Sequence, residues 1–218
     1  MILDKYKTIA LSEKVCQVLK DRIVSGKYPA KTMLSEKEIC KEFEVSRSPF
    51  REAIKKLEEL KLVEVIPRFG TYVSEMNLHE VKYALEVRFV LEPLAARLAA
   101  ERRKPEQLSH FESLIKEGEV LVKNNGSILL RSKLDKRCHE AIDETSHNPI
   151  LATELDRLRT ICARIWTSSF REEISLPEII SQWGKIYIAV RDGNSDAAGA
   201  FMTEHMIYTV DHLRREFF

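Results

Sequence analysis

Residues 45–54 read Val45-Ser46-Arg47-Ser48-Pro49-Phe50-Arg51-Glu52-Ala53-Ile54, and their spacing predicts a helix with one charged and one apolar face. Arg47 and Arg51 stand four residues apart, so both project from the same face, where their guanidinium groups can reach phosphates or the edge of a guanine. The apolar residues at helical spacing on another face are Phe50, Ile54, Leu57 and Leu60. The pattern is typical of a helix that rests on a core and presents its arginines to DNA.

Pro49 is compatible with this helix. If Ser46 or Ser48 caps the start, the proline falls in the first turn, where its missing N–H would have had no helical partner. Just upstream, Ser35-Glu36-Lys37-Glu38 has the S-x-x-E form of a capping box and predicts another short helix. Two short helices joined by a tight connection at Glu44-Val45 are what a helix-turn-helix requires.

The flanking segments complete the motif. Upstream, an amphipathic pattern that ends near Ser25-Gly26 predicts a first helix. Downstream, β-branched runs at 62–66 and 71–73 predict a hairpin, with Pro67-Arg68-Phe69-Gly70 as its turn. This order of three helices and a hairpin is that of a winged helix-turn-helix. A solvated surface helix would explain two arginines alone, but not a capping box and a glycine-containing hairpin at these offsets.

About seventy N-terminal residues resemble the DNA-binding domain of GntR-type bacterial transcription regulators. The matching segments are 26–29, 34–39, 45–53, 62–63 and 70–73, together with Leu57. By that resemblance, Lys37, Arg47, Arg51 and Gly70 fall at the DNA-contacting positions of the family. We also predict that Ser46 and Ser48 bind DNA. Lys37 stands where the family more often has arginine. Because lysine lacks the bidentate fork of arginine, we assign it to a phosphate rather than to a base.

Composition is consistent with this organisation. The chain has 218 residues, 44% of them hydrophobic, which is enough to bury a core and to form one or two domains. Residues 1–76 carry 15 Lys and Arg against 12 Asp and Glu, whereas the remainder carries 20 against 22. The four cysteines are widely spaced, no apolar run approaches about 20 residues, and the first residues lack a signal-peptide layout. We therefore expect a cytoplasmic protein with reduced thiols and no membrane segment.

Beyond the polar connector at 74–77 the pattern is helical to the end, so the predicted fold class is mostly α. The first of these helices runs from Leu78 to Arg103, with a kink expected at Pro93. Further helices are predicted near 105–124, 128–145, 149–172, 175–192 and 195–216. They form a bundle of about six helices. The predicted domains are a winged helix-turn-helix at 1–76 and an all-helical domain at 77–218.

Motifs in the helical half resemble the FCD effector and dimerisation domain of the FadR-like subfamily of these regulators. They are 88–92, Leu134-Asp135, His139, 148–151, 189–193, Ala197-Ala198 and His205-Met206. In that subfamily an Asp and three His bind a divalent metal beside a small carboxylate ligand, and the resemblance assigns three of the four ligands to Asp135, His139 and His205. Asp135 and His139 are four apart on one helix and can meet one ion. Such donors suit Zn, Ni or Mn.

Trp183 occupies the position at which the resemblance expects the remaining histidine, in the register that aligns Ala189 and His205. Tryptophan cannot ligate a metal. Either three protein groups plus water or ligand complete the coordination sphere, or the metal function is lost and the indole fills its space. By residue type alone, Asp135 and His139 could equally be a solvated pair on a helix surface.

Arg88 and Arg164 are the candidate effector-binding residues. Arg88 lies among apolar neighbours on the first bundle helix, and a buried arginine requires a carboxylate. That carboxylate is either Glu92, one turn further on, or the effector. Arg164 has apolar neighbours in Ile161 and Ile165 and is a second candidate for the same pocket.

Together these features predict a sequence-specific transcription regulator that binds an inverted-repeat operator on double-stranded DNA as a homodimer, with repression and activation both open. Its helical domain would sense a small organic acid, with a bound divalent metal as a further expectation. Two alternatives stay open: a metal-dependent enzyme housed in the bundle, and a DNA-binding dimer that senses nothing. The absence of H-E-x-x-H, G-x-S-x-G and paired catalytic carboxylates favours a protein that is not an enzyme.

Overall fold

The computed structural model describes residues 10–124, 128–169 and 175–217, with side chains in these ranges except at 128–129, 166–169 and 212–217. The elements in chain order are α1 (Leu11–Val24), α2 (Glu36–Phe43), α3 (Arg47–Glu59), β1 (Val63–Ile66), β2 (Gly70–Val73), α4 (Leu78–Arg102), α5 (Pro105–Lys123), α6 (Ile128–Thr145), α7 (Pro149–Ser169), α8 (Leu176–Asp192) and α9 (Ser195–Phe217). The predicted fold class, a winged helix-turn-helix followed by a helical bundle, is confirmed.

Local capping explains where α2 and α3 begin and end. The Ser35 hydroxyl accepts a hydrogen bond from the backbone N–H of Glu38 at 3.4 Å, which caps α2 as predicted. Glu44 then adopts a left-handed conformation with φ of 56° and ends the helix. Ser46 is the N-cap residue of α3, so Pro49 lies in its first turn, where no helical N–H is required.

The wing is the antiparallel pair β1 and β2, in which Val63 faces Val73 and Ile66 faces Gly70. Its turn places Arg68 at φ of 69° and Gly70 at φ of 129°, so glycine suits the second position because it lacks the Cβ that disfavours such angles. Beneath the wing and the three helices lies one apolar cluster, whose central members are Val15, Leu19, Ala53 and Leu57. The apolar side chains of α3 join this cluster, which leaves its arginines outside.

The bundle helices begin and end close to the predicted boundaries, because capping and turn-forming residues lie at those positions. Ser175 caps α8 by accepting from the backbone N–H of Glu178, and Gly193 ends it in a left-handed conformation. α4 continues through Pro93 as one helix. The prediction for α7 extended to 172, and positions 170–172 lie outside the described residues. In the part of the chain that the structure describes, no helix is long and apolar enough to cross a membrane.

Contacts divide the chain into two compact units. The first holds the described residues up to Val81 together with Thr160–Thr167, and the second holds Lys82–Arg159 and the described residues from Ser168 onward. The second unit has a core of its own, in which Phe111, Leu134, Ile142 and Ile186 are fully buried.

Gly118, in the middle of α5, lets this helix approach α8 closely. A Cβ at this position would overlap Cδ1 of Ile180 and lie 3.1 Å from Cδ2 of Leu134. We expect Gly118→Val to lower the free energy of unfolding by about 1–3 kcal/mol, because the added atoms overpack a dense core. Urea unfolding followed by circular dichroism measures the change. Gly184→Val is the matched control, since a Cβ there meets nothing within 4 Å; equal effects of the two substitutions would contradict the prediction.

Candidate functional sites

The exposed face of α3 carries the two predicted arginines, and one carboxylate bridges them. Glu36 accepts a hydrogen bond from Nε of Arg51 at 3.0 Å, and its other oxygen lies 3.2 Å from Nε of Arg47. The side chains of Arg47 and Arg51 are 77% and 67% exposed, so both guanidinium groups remain available to a partner. A strong anion such as a DNA phosphate can compete with Glu36 for them.

The other predicted DNA-binding residues lie in the same unit and are exposed. Lys37 lies in the first turn of α2, and Ser46 is the N-cap of α3, with no side-chain cap bond. The Ser48 hydroxyl donates to Glu52, and Gly70 lies at the tip of the wing. Sequence reasoning did not single out Glu36, Arg68 or Phe69. Arg68 and Phe69 could have been noticed in the sequence, because they share the wing turn with Gly70. Phe69 is 74% exposed.

The second unit gathers the three predicted metal ligands in its interior. The potential ligand atoms of Asp135, His139 and His205 all lie within 4.8 Å of one another. Nε2 of His139 is 3.8 Å from Oδ2 of Asp135, and Nε2 of His205 is 3.5 Å from Oδ1. α6 supplies Asp135 and His139 one turn apart, and α9 supplies His205.

Hydrogen bonds on the far side of each imidazole fix which nitrogen faces Asp135. Nδ1 of His139 donates to Oε2 of Glu92 at 2.9 Å, because a carboxylate can only accept. Nδ1 of His205 lies 3.0 Å from Oε1 of Gln182, whose amide nitrogen in turn donates to Glu178. In the neutral form of either ring, this arrangement places the proton on Nδ1 and leaves the lone pair of Nε2 facing Asp135.

Two observations show that these residues fit a metal ion. The separations of 3.5 and 3.8 Å are too long for good hydrogen bonds but close to the roughly 3.3 Å between ligands that share one tetrahedral ion with bonds of about 2.0 Å. Among the described side chains, Nε2 of His205 is the buried polar atom that lacks a hydrogen-bond partner. Burial also lowers the pKa of His205 to about 4, which keeps the imidazole neutral as a ligand must be.

Trp183 lies directly against this cluster and is fully buried. Its indole Nε1–H donates to Oδ1 of Asp135 at 2.8 Å. Its ring lies 4.8 Å from the ring of His139 and 4.7 Å from that of His205, measured between centroids. The residue that replaces the expected histidine thus fills space and also makes a hydrogen bond to one of the candidate ligands.

Behind His139 lies a buried network of charges. Glu92 is 0% exposed and accepts two hydrogen bonds from Arg88 and two from Arg159. Arg159 also donates to both oxygens of Asp143, at 2.6 and 2.8 Å. Burial alone would raise the pKa of Glu92, but the attraction of His139, Arg159 and Arg88 outweighs it and holds that pKa well below its usual range.

The two predicted effector arginines lie in different surroundings. Arg88 is buried and its guanidinium is bound to Glu92, the internal partner that the sequence offered as one alternative. Arg164 donates from Nη1 to the backbone carbonyl of Ser74 at 2.6 Å, within the first unit. Sequence reasoning assigned no role to Arg159 on α7, Asp143 on α6 or Gln182 on α8, because none of them belongs to a local motif.

Residues 11–73 match the bacterial regulatory proteins of the gntR family, and residues 83–207 match the FCD domain. This chain belongs to the gntR family. The galactonate operon transcriptional repressor of Escherichia coli (strain K12) is 28% identical to this regulator over 215 residues, which cover 88% of this chain and 91% of that protein. The gluconate operon transcriptional repressor of Bacillus subtilis (strain 168) is 34% identical over 142 residues, which cover 65% and 51%.

Among solved structures, E. coli McbR/YncC matches this regulator with a TM-score of 0.81 at 20% identity, covering 97% of this chain and all of that one. That likeness supports the fold. The relatives are transcription regulators, which confirms the prediction that this protein is a regulator and not an enzyme.

Proposed function

We propose that this regulator is a cytoplasmic homodimeric repressor that binds an inverted-repeat operator and responds to a small organic acid. The observation that carries the proposal is the pair Arg47 and Arg51, aligned by Glu36 on the exposed face of α3. α3 is the second helix of a helix-turn-helix, the element that enters the major groove. A two-fold dimer on a two-fold site doubles the contacts that read the sequence.

The bundle of the proposed sensor holds one divalent ion, Zn, Ni or Mn, through Asp135, His139 and His205. The unpartnered Nε2 of His205 and the ligand spacing support this assignment. When bound, the ion would act as a Lewis acid and would accept oxygen ligands from a small molecule. Glu92 and Gln182 hold the two imidazoles in the required tautomer.

A small carboxylic acid is the effector class that these surroundings favour. A carboxylate oxygen is a suitable ligand for the open positions of such an ion. Two relatives are named for operons of sugar acids, galactonate and gluconate, which supports the same class here. Binding would regulate DNA affinity if the acid prefers one arrangement of the dimer over the other.

The test is fluorescence anisotropy with labelled duplexes from the region upstream of the gene, against a duplex of scrambled sequence. We expect tighter binding to one upstream duplex at every salt concentration, and weaker binding to it once Zn²⁺ and an effective acid from a panel of carboxylates are added. Equal affinity for all duplexes would contradict sequence-specific DNA binding. Specific binding that no acid and no chelator changes would instead establish the DNA-binding dimer without sensing. Light scattering measures the dimer independently.

A further inference from the structure

Trp183 is placed to act on the proposed metal centre through Asp135. Its indole N–H donates to Oδ1 of Asp135 at 2.8 Å, and the Asp135 side chain, 24% exposed, is the most accessible of the three candidate ligands. An indole nitrogen has a proton to donate and no lone pair to offer a metal. Its contribution to the site is therefore the orientation of the carboxylate.

The surroundings of Trp183 hold that donor in place. The ring is nearly perpendicular to that of His139, with an interplanar angle of 88°, and it is tilted at 50° to that of His205. It therefore packs against both imidazoles, whose own centroids are 5.4 Å apart. Phe111 packs on it edge to face at a centroid distance of 6.0 Å. A fully buried ring with aromatic contacts of this kind has little freedom to rotate away.

We propose that Trp183 is a positioning residue that sets the coordination of the metal. Its hydrogen bond to Oδ1 fixes the orientation of the Asp135 carboxylate, whose Oδ1 lies 3.5 Å from Nε2 of His205 and whose Oδ2 lies 3.8 Å from Nε2 of His139. The indole also occupies the space of a fourth protein ligand. Asp135, His139 and His205 would be the three protein ligands of a bound ion, and oxygen ligands from solution would complete its coordination. This inference rests on the proposed metal site, and it gives the sequence difference at position 183 a chemical meaning.

The experiment uses Co²⁺ as the probe, because its visible absorption reports coordination number and ligand exchange. We expect Trp183→Phe to weaken Co²⁺ binding about 10–100-fold, the usual effect of removing a hydrogen bond to a ligand. Tyr187→Phe is the matched control, since Tyr187 packs on Phe111 and leaves Asp135 untouched. Acetate should shift the wild-type Co²⁺ spectrum. Trp183→His should bind Co²⁺ more tightly than Trp183→Phe, with an altered spectrum and a smaller acetate response.

Wild-type affinity and an unchanged acetate response in Trp183→Phe would overturn the inference while leaving the metal centre intact. If the wild type itself binds no Co²⁺, the metal centre and this inference both fail, whereas the DNA-binding proposal is judged by anisotropy alone. A second measurement keeps Trp183 in place, so misfolding of a Trp183 variant cannot affect its result. In Trp166→Phe, which leaves one tryptophan, the indole N–H resonance should move on addition of one equivalent of Zn²⁺. A resonance that stays in place contradicts the proposal.

Discussion

Glu92→Leu is expected to lower the free energy of unfolding by about 3–5 kcal/mol, the usual effect of breaking a buried ion pair from one side. Glu92 is fully buried and is the shared acceptor for Arg88, Arg159 and His139. Leucine removes all of these bonds and leaves Arg88 as a buried cation with no carboxylate. Arg159 would keep only Asp143. Urea unfolding at pH 7, followed by circular dichroism, measures the loss.

Two further variants separate charge from shape in this prediction. Glu92→Gln keeps an oxygen acceptor and nearly the same volume. The unfolding free energy that this variant loses therefore measures the contribution of the charge. Glu86→Leu is the control on the same helix, because Glu86 is exposed, and it should change stability by less than about 0.5 kcal/mol. A loss below about 1 kcal/mol for Glu92→Leu would show that the buried network contributes little net stability.

The pH dependence of this loss follows from the lowered pKa of Glu92. A carboxyl group whose pKa is lower in the folded state stabilises the protein above its unfolded value, about 4.3, and that stability is lost as the pH falls towards the folded value. The difference between wild type and Glu92→Gln should therefore stay constant between about pH 5 and pH 8 and shrink in more acidic solution. A difference that already falls between pH 8 and pH 6 would contradict the assigned direction.

Local signals explain why much of the fold could be predicted from the sequence. Ser35, Pro49 and Gly193 act on their own helix ends, so their effect is visible in a few neighbouring residues. The spacing of Asp135 and His139 is equally local. Grouping them with His205 depended on the family resemblance, because no periodic pattern links α6 to α9.

The rest of the bundle site depends on contacts between distant segments. Trp183 and Asp135 are 48 residues apart, and Arg159 and Glu92 are 67 apart. Nothing in the neighbourhood of Trp183 indicates that its N–H will meet a carboxylate, so the sequence allowed either a lost or an open metal site. The structure supplies the hydrogen bond and the unpartnered nitrogen of His205, which together favour the open site.

Arg47→Ala and Arg51→Ala are each expected to cost about 1–3 kcal/mol of discrimination between the operator and other DNA, if each arginine makes a bidentate contact to a guanine. Their effects should not simply add, because both side chains interact with Glu36. Lys37→Ala should instead weaken binding to all duplexes alike and reduce the dependence on salt by about one phosphate contact. Anisotropy titrations at several salt concentrations, with operator and scrambled duplexes, distinguish the two kinds of loss.

Lys56→Ala is the matched control for these arginines. Lys56 is a cation of the same helix, but it faces α1, where its ammonium group lies 3.2 Å from Glu13. Its removal should leave the preference for the operator unchanged. If Arg51→Ala weakens the operator and the scrambled duplex equally, Arg51 contacts phosphate and the base readout must be assigned elsewhere. If it lowers only the preference for the operator, α3 reads bases through this residue, and the alignment imposed by Glu36 serves sequence recognition.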